Sequence, residues 1–300
     1  MIKIFIIDSN SSDQRIDKFL KRNFDKLTQS FIEKNLRKKN ILLNQHLTKS
    51  NQIIKVDDKI TIKNFSTEVY QKFKKDQSTI QINKSYITNF KKSILYEDDN
   101  FLIIDKWSGI AVQGGSNIVI SIDTIIKNIS ENYNLVHRLD KETSGLMIIA
   151  KNLKYTRFFG QLFKSQKLKK TYLAICDGMP KLKESYVDLN INSNTTEKII
   201  KTKTFYKVLS YNDKTSLIKF EPKTGKKHQL RLVAKNLGCP IVGDLKYNLN
   251  QNKQRENLKL NAFMLEFNTE DNEFKITSAL PKDFTNYLKL KNIKFNPTTI

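Results

Sequence analysis

The 300-residue sequence predicts an α+β protein, a small α+β unit followed by a larger one built on a large mixed, mostly antiparallel sheet. Three observations lead there. Within residues 13–63 apolar positions recur at helical spacing and then give way to two short strand-like runs. From Ser93 onward strand-like segments dominate, without the βαβ rhythm of a doubly wound sheet. Between the two, residues 67–92 are polar, basic and weakly periodic. The expected organisation is therefore 1–66, a linker over 67–92, and 93–300, with no internal repeat.

In DQRIDKFLKR, Ile16, Phe19 and Leu20 share one helical face. Ser30-Phe-Ile-Glu33 fits a capping box, and Ile32 and Leu36 continue an apolar stripe. Arg37, Lys38 and Lys39 follow at the C-terminal end of that helix, where the dipole favours cations. ILLN (41–44) and KITI (59–62) read as strands, with Asn44-Gln45 as a turn. In the larger unit, SILYEDDNFLIIDKWSG reads as two strands around an acidic turn, and LVHRLD, KETSG and LMIIAK as strand, loop and strand. A helix is expected from Asn152 to Gln166, then a strand in KKTYLAICDG. TFYKVLS and SLIKFEP form an antiparallel pair, HQLRLVAKN a short helix, NAFMLEF a strand, and PKDFTNYLKL a final helix.

Fifty-three Lys and Arg against thirty Asp and Glu leave a net charge of +23, spread along the chain rather than confined to a tail. Such an imbalance points to a polyanionic partner. Cys176 and Cys239 make no disulfide framework, and the opening MIKIFIIDSN is not a secretory signal, so a cytoplasmic location is expected. No stretch approaches the ~20 apolar residues of a membrane span. The three histidines and two cysteines lack metal-ligand spacing. Neither GxxxxGK[ST] nor GxGxxG occurs, which argues against P-loop hydrolysis and Rossmann cofactor chemistry.

HRLDKETSG, residues 137–145, holds the most telling carboxylate. Asp140 sits between two apolar strands, after an Arg and before a Thr-Ser-Gly turn. Taken alone, such an Asp more often caps neighbouring amides. Its surroundings say otherwise: HRLDKETSG resembles the HRLDxxTSG signature of the RluA-like RNA pseudouridine synthases. KKTYLAICDG resembles their KxYxAxxxG motif, EPKTGKKHQLRLVAKNLGCPIVGDLKY their PxTGRxHQIRxHxxxxGxPIxGDxxY block, and NAFMLEF their LHAxxLxF strand. ILYEDDNFLIIDKWSGIAVQGGSN resembles their opening strands. RIDKFL and SFIEKNLRKKNILLN resemble an S4 RNA-binding domain, although Asp57-Asp58 stands where that domain usually has Gly-Asp. AVQGGS together with the S4-like unit is most similar to the RluC branch, which modifies large-subunit ribosomal RNA. Trp107, Lys226, Lys227 and Val233 depart from the family pattern.

The resemblance implies a pseudouridine synthase fold preceded by an S4 domain. It implies isomerisation of uridine in 23S ribosomal RNA, free or in a large-subunit assembly intermediate, by a monomer that needs no cofactor or metal. The C1′–N1 bond breaks, the base turns, and C5 rejoins C1′. Asp140 matches the catalytic carboxylate, which attacks C1′ or removes the 2′ proton. Burial raises a carboxylate's pKa, so a fixed cation must hold it ionised, and Arg231 matches the family's ion-pair partner of that Asp. Tyr172 matches the residue that packs on the target base; a phenol with an ordinary pKa of ~10 is a poor base at neutral pH, so stacking is its larger role. The uridine must be flipped out of folded RNA, and Arg138 matches the residue that fills the vacated space. His137 and His228 read as hydrogen-bonding scaffold. Lys226 and Lys227, with Arg37, Lys38 and Lys39 of the S4-like unit, are the expected RNA contacts. The alternative reading is a non-catalytic S4-type RNA-binding ribosome-assembly factor.

Overall fold

A computed structural model describes residues 1–8, 11–24, 26–70, 82–114, 120–192, 199–249 and 256–297. Its internal packing divides the chain into two units, Met1–Gln81 and Ile82–Ile300.

The first unit contains β1 (Lys3–Ile6), β2 (Gln14–Arg15), α1 (Ile16–Asn23), α2 (Gln29–Arg37), β3 (Ile41–Leu43), β4 (Ile53–Ile54) and β5 (Lys59–Ile62). Ile16, Leu20, Ile32 and Leu36, the predicted helical stripes, pack on Ile41, Ile60 and Ile62 in one core. The sheet runs β1-β5-β3, so residues before position 13 supply a strand that periodicity had not revealed. The N-cap of α2 is Thr28, whose side chain accepts from the Phe31 N–H, and not Ser30. The helix therefore starts two residues earlier than a Ser30–Glu33 box requires. Asn44 and Gln45 adopt positive φ of 50° and 65°, as a tight hairpin turn demands.

The second unit contains α3 (Lys84–Lys92), β6 (Ile94–Glu97), β7 (Phe101–Lys106), α4 (Ile122–Ile129), β8 (Asn134–Leu135), β9 (Ser144–Ala150), α5 (Leu153–Lys164), β10 (Lys169–Asp177), β11 (Glu184–Asn192), β12 (Ile199–Tyr211), β13 (Thr215–Pro222), α6 (Gln229–Asn236), β14 (Leu260–Asn268), β15 (Glu273–Thr277) and α7 (Lys282–Leu290). Part of the expected linker is thus helical: α3 buries Phe90 in the core of this unit together with Ile82. Residues 71–81 lie outside the described residues.

The strands form one sheet in the order β11-β12-β13-β10-β14-β9-β7-β6, with β15 on β14 and β8 on β9. Its pairings are antiparallel except for β9–β14, which run parallel through Ser144↔Asn261 and Gly145↔Ala262. The expected mixed, mostly antiparallel α+β architecture is what the chain adopts. Gly145 makes the parallel junction possible. Its φ is +107°, and a Cβ there would lie 2.4 Å from the Ala262 carbonyl oxygen. The central strand β9 is buried along its whole length, and β7 nearly so, which suits their continuous apolar runs.

Candidate active site

Three parts of the larger unit converge on one cavity of about 600 Å³: the loop before β9, the middle of β10, and the loop that opens α6. Its wall includes Arg138, Asp140, Tyr172, Lys226, Lys227, His228 and Arg231. The expected catalytic residues and the expected RNA contacts of this unit are therefore brought together. Arg37, Lys38 and Lys39 lie in the first unit, exposed at the C-terminal end of α2.

Asp140 is held by its backbone. Its carbonyl accepts from Thr143 N–H at 3.1 Å. The following two residues are gripped by the turn after β7: Gly109 N–H donates to the Lys141 carbonyl at 2.9 Å, and Ser108 Oγ to the Glu142 carbonyl at 2.7 Å. Lys106, fully buried, donates from Nζ to the carbonyls of Trp107, Ile110 and Lys141 at 3.0, 3.2 and 3.2 Å. Burial lowers its pKa to about 7, against the pull of the Glu142 and Asp140 carboxylates. Trp107 stands where the family has Pro, yet Lys106, Ser108 and Gly109 still make the grip.

The carboxylate itself is accessible, with its side chain 23% exposed. A carboxylate at a cavity wall can approach a substrate without first shedding a hydrogen-bonded partner. His137 is scaffold, as expected: Ile148 N–H donates to its Nε2 at 2.9 Å, and Phe163 lies 5.0 Å from its ring. Burial, reinforced by the Lys170 charge, pushes its pKa down to about 3, so it remains neutral.

Tyr172 packs its ring between the two halves of the core that meet at the cavity. Burial raises its pKa well above the ordinary phenol value, and the Asp140 charge raises it further. The phenol is therefore protonated at neutral pH and offers a ring face and an O–H, not a base.

Arg231 departs from expectation. Its Nε and a terminal nitrogen donate to the two oxygens of Asp244 at 2.8 and 2.6 Å, and among the described residues it forms no ion pair with Asp140. Asp244 also accepts from the N–H groups of Lys246 and Tyr247, each at 3.0 Å. Burial works against its ionisation, but Arg231 and those amides outweigh it and lower its pKa. The pair is fixed by the tight turn at Gly243, where φ is +80° and a Cβ would lie 2.2 Å from the Asn257 carbonyl oxygen. Arg231 still acts on Asp140 through space. Among the described residues the basic side chain within 4 Å of the carboxylate is instead His228, with Nε2 3.9 Å from Oδ1.

Lys226 and Lys227 are exposed on a loop that Gln229 holds from below. Gln229 accepts from Thr224 Oγ1 at 2.8 Å and from Lys226 N–H at 3.1 Å, and donates to Thr204 Oγ1 at 2.9 Å. Arg138 is exposed at the opposite side of Asp140 in the chain. Sequence reasoning missed Lys106, Asp244 and Tyr247, although each lies inside a quoted motif. No group of three or more candidate metal ligands occurs among the described residues, and no described helix is long and apolar enough to cross a membrane.

An Asp-centred cavity rimmed by cations, set at the centre of this mixed sheet, defines a class: the chain belongs to the RNA pseudouridine synthases. Residues 100–236 match the family described as RNA pseudouridylate synthase. The chain is 41% identical over 260 residues to the ribosomal large subunit pseudouridine synthase C of Rickettsia felis, covering 81% of this chain and 84% of that protein. It is 31% identical over 307 residues to the protein of the same name from Buchnera aphidicola subsp. Baizongia pistaciae, covering 96% of each. Among solved structures it resembles Human RNA Pseudouridylate Synthase Domain Containing 4, with 26% identity, a TM-score of 0.61, and coverage of 70% of this chain and 97% of that one.

Proposed function

We propose that this pseudouridine synthase converts uridines of large-subunit (23S) ribosomal RNA, free or in an assembly intermediate, to pseudouridine, acting as a cytoplasmic monomer. The observation that carries the reading is the accessible Asp140 carboxylate at the wall of a cavity floored by Tyr172 and rimmed by Arg138, Lys226 and Lys227. The relatives named for the large subunit supply the substrate class.

In this reading the target uridine leaves its stack, at a cost of a few kcal/mol, and lies on Tyr172. Arg138 fills the vacated space, where a guanidinium can stack and bind phosphate. Asp140 attacks C1′ or takes the 2′ proton; both routes need it ionised. The C1′–N1 bond breaks, the base turns, C5 bonds to C1′, and the C5 proton is lost as N1 gains one. Product and substrate are isomers, so no oxidant, reductant or nucleotide is consumed. The basic C-terminal end of α2 in the first unit, with Arg37, Lys38 and Lys39, adds phosphate contacts of the S4 type.

Pseudouridine mapping of large-subunit rRNA from cells with and without the protein tests the reading. Sites that disappear with the protein and return with the wild-type chain, but not with Asp140→Asn, are the expected result. An unchanged map would overturn the substrate assignment.

A further inference from the structure

We infer that His228 is a positioning residue for Asp140: Tyr247 holds the imidazole so that its Nε2–H faces the catalytic carboxylate. The inference rests on the reading of Asp140 given above and adds a residue to it.

Four observations carry it. His228 begins α6 in a left-handed conformation, φ 55° and ψ 20°, and makes no side-chain cap to the helix. A non-glycine residue adopts that conformation uncommonly, and here the ring lines the cavity instead of serving the helix end. Its Nδ1 lies 3.0 Å from the Tyr247 hydroxyl, and its Nε2 lies 3.9 Å from Asp140 Oδ1. The Arg231 guanidinium, which the Asp244 carboxylate holds in place, stands 5.0 Å from the centre of the Tyr247 ring. Tyr247 is thereby fixed from its face while its hydroxyl fixes His228.

The tautomer follows from these contacts. With the proton on Nδ1, the bare lone pair of Nε2 would face a carboxylate, which is repulsive. With the proton on Nε2, the Tyr247 hydroxyl donates to Nδ1 and the ring N–H points at Asp140. Burial and the neighbouring charges of Arg231, Lys227 and Lys246 lower the histidine's pKa, against the pull of Asp140, so the ring stays neutral. A neutral donor orients a carboxylate without giving it a proton. The 3.9 Å separation is one that substrate entry can close, since catalytic hydrogen bonds are often long before substrate binds. Arg231 and Asp244 then act at one remove, as the support of Tyr247.

The test uses the full-length protein. His228→Asn keeps a residue that tolerates the left-handed backbone, but its amide is too short to reach Asp140. His228→Gln carries an amide N–H at about the reach of Nε2. His228→Asn should lose about 10- to 100-fold in kcat, the scale of a misplaced catalytic group, with KM for the RNA unchanged. His228→Gln should recover most of that loss, and Tyr247→Phe should fall between them. Nitrogen-15 NMR of the substrate-free protein should show His228 protonated on Nε2, with the other tautomer gaining in Tyr247→Phe. Wild-type kcat in His228→Asn, equal losses in the Asn and Gln variants, or an Nδ1–H signal in the wild type would each overturn the inference. The NMR measurement needs no RNA, so it decides the tautomer even if the RNA target is a different one.

Discussion

Arg231, which lines the same cavity as Asp140, forms a two-pronged ion pair with Asp244, with side chains only 11% and 0% exposed. Both charges have left water, and each satisfies the other. The paired, planar donors of a guanidinium fit both carboxylate oxygens, which the single ammonium of a lysine cannot do. Asp244→Ala would strand a buried cation, a loss of about 3–5 kcal/mol. Urea unfolding of the wild type and the variant measures it. Arg231→Lys should fold but lose most of its activity, because Tyr247 and the cavity wall lose their support. A variant with both stability and turnover of the wild type would show that the pair is ornamental.

Asp140→Asn removes the charge at nearly constant shape. Turnover, read as tritium release from C5-labelled uridine, should fall by about 10⁴-fold or more, as expected for an essential catalytic group. RNA affinity should change little, since the phosphate contacts proposed for this unit are Arg138, Lys226 and Lys227 and not Asp140. Readily measured residual turnover would assign the chemistry to another group.

Lys106 makes stability depend on pH in a definite direction. Its pKa in the folded protein is lowered to about 7 by burial, against ~10.4 in an unfolded chain. Between these values the unfolded chain holds a proton that the folded chain has released. Raising the pH through about 7 to 10 therefore favours folding by this group, and lowering it disfavours folding. Lys106→Met should remove that part of the slope. Melting temperatures at several pH values, compared between the two proteins, check it; parallel curves would rule the titration out. The variant should also lose activity, because the Lys141 carbonyl beside Asp140 loses a donor.

Gly145→Ala should cost about 3 kcal/mol or more, through a strained φ and backbone overlap together. The new Cβ would meet Ala262 backbone atoms at 2.4 to 2.8 Å. Loss of soluble protein or a much lower melting temperature is the expected result.

Removing residues 1–81, the whole of the first unit, should weaken binding to structured rRNA and flatten its salt dependence, because fewer phosphates are neutralised. Turnover should persist at low salt and high RNA concentration, since Asp140, Tyr172 and Arg231 all lie in the remaining unit. Equal affinity and equal salt slope for the full and the shortened protein would leave Arg37, Lys38 and Lys39 without an RNA role.

What could be read from the chain depended on whether the signal was local. Asp140, Tyr172, Arg138, Lys226 and Lys227 fall in contiguous motifs, and the structure gathers them at one cavity. Arg231 was legible as a site residue but its partner was not. That choice depends on how the Gly243–Tyr247 turn folds back on α6, and no spacing reports it. A different limit hid β11 and β15. Both close local hairpins, β11 with β12 and β15 with β14, but β15 alternates only between exposed and half-buried positions and so carries a weak amphipathic pattern. Sequence reasoning also passed over α4, although it carried a local signal in Ser121, whose Oγ accepts from Thr124 N–H, and in Ile122, Ile125 and Ile126. Thr28 and Ser30 both carry a hydroxyl that could cap α2, and spacing alone did not show that Thr28 is the one that accepts from Phe31 N–H.

The short parallel seam between β9 and β14 has a kinetic consequence. Asp140 enters from one side of it, and Tyr172, His228 and Arg231 from the other. The Asn261 amide reaches Ser144 Oγ across 117 positions of chain. Hairpins such as β6–β7 and β12–β13 close locally, but this seam must await a long loop closure whose entropy is lost before any contact rewards it. Closure of the two sides of the Asp140 cavity is therefore expected late as the chain folds, since a nascent chain that has not yet emerged beyond β14 lacks the strand that joins them.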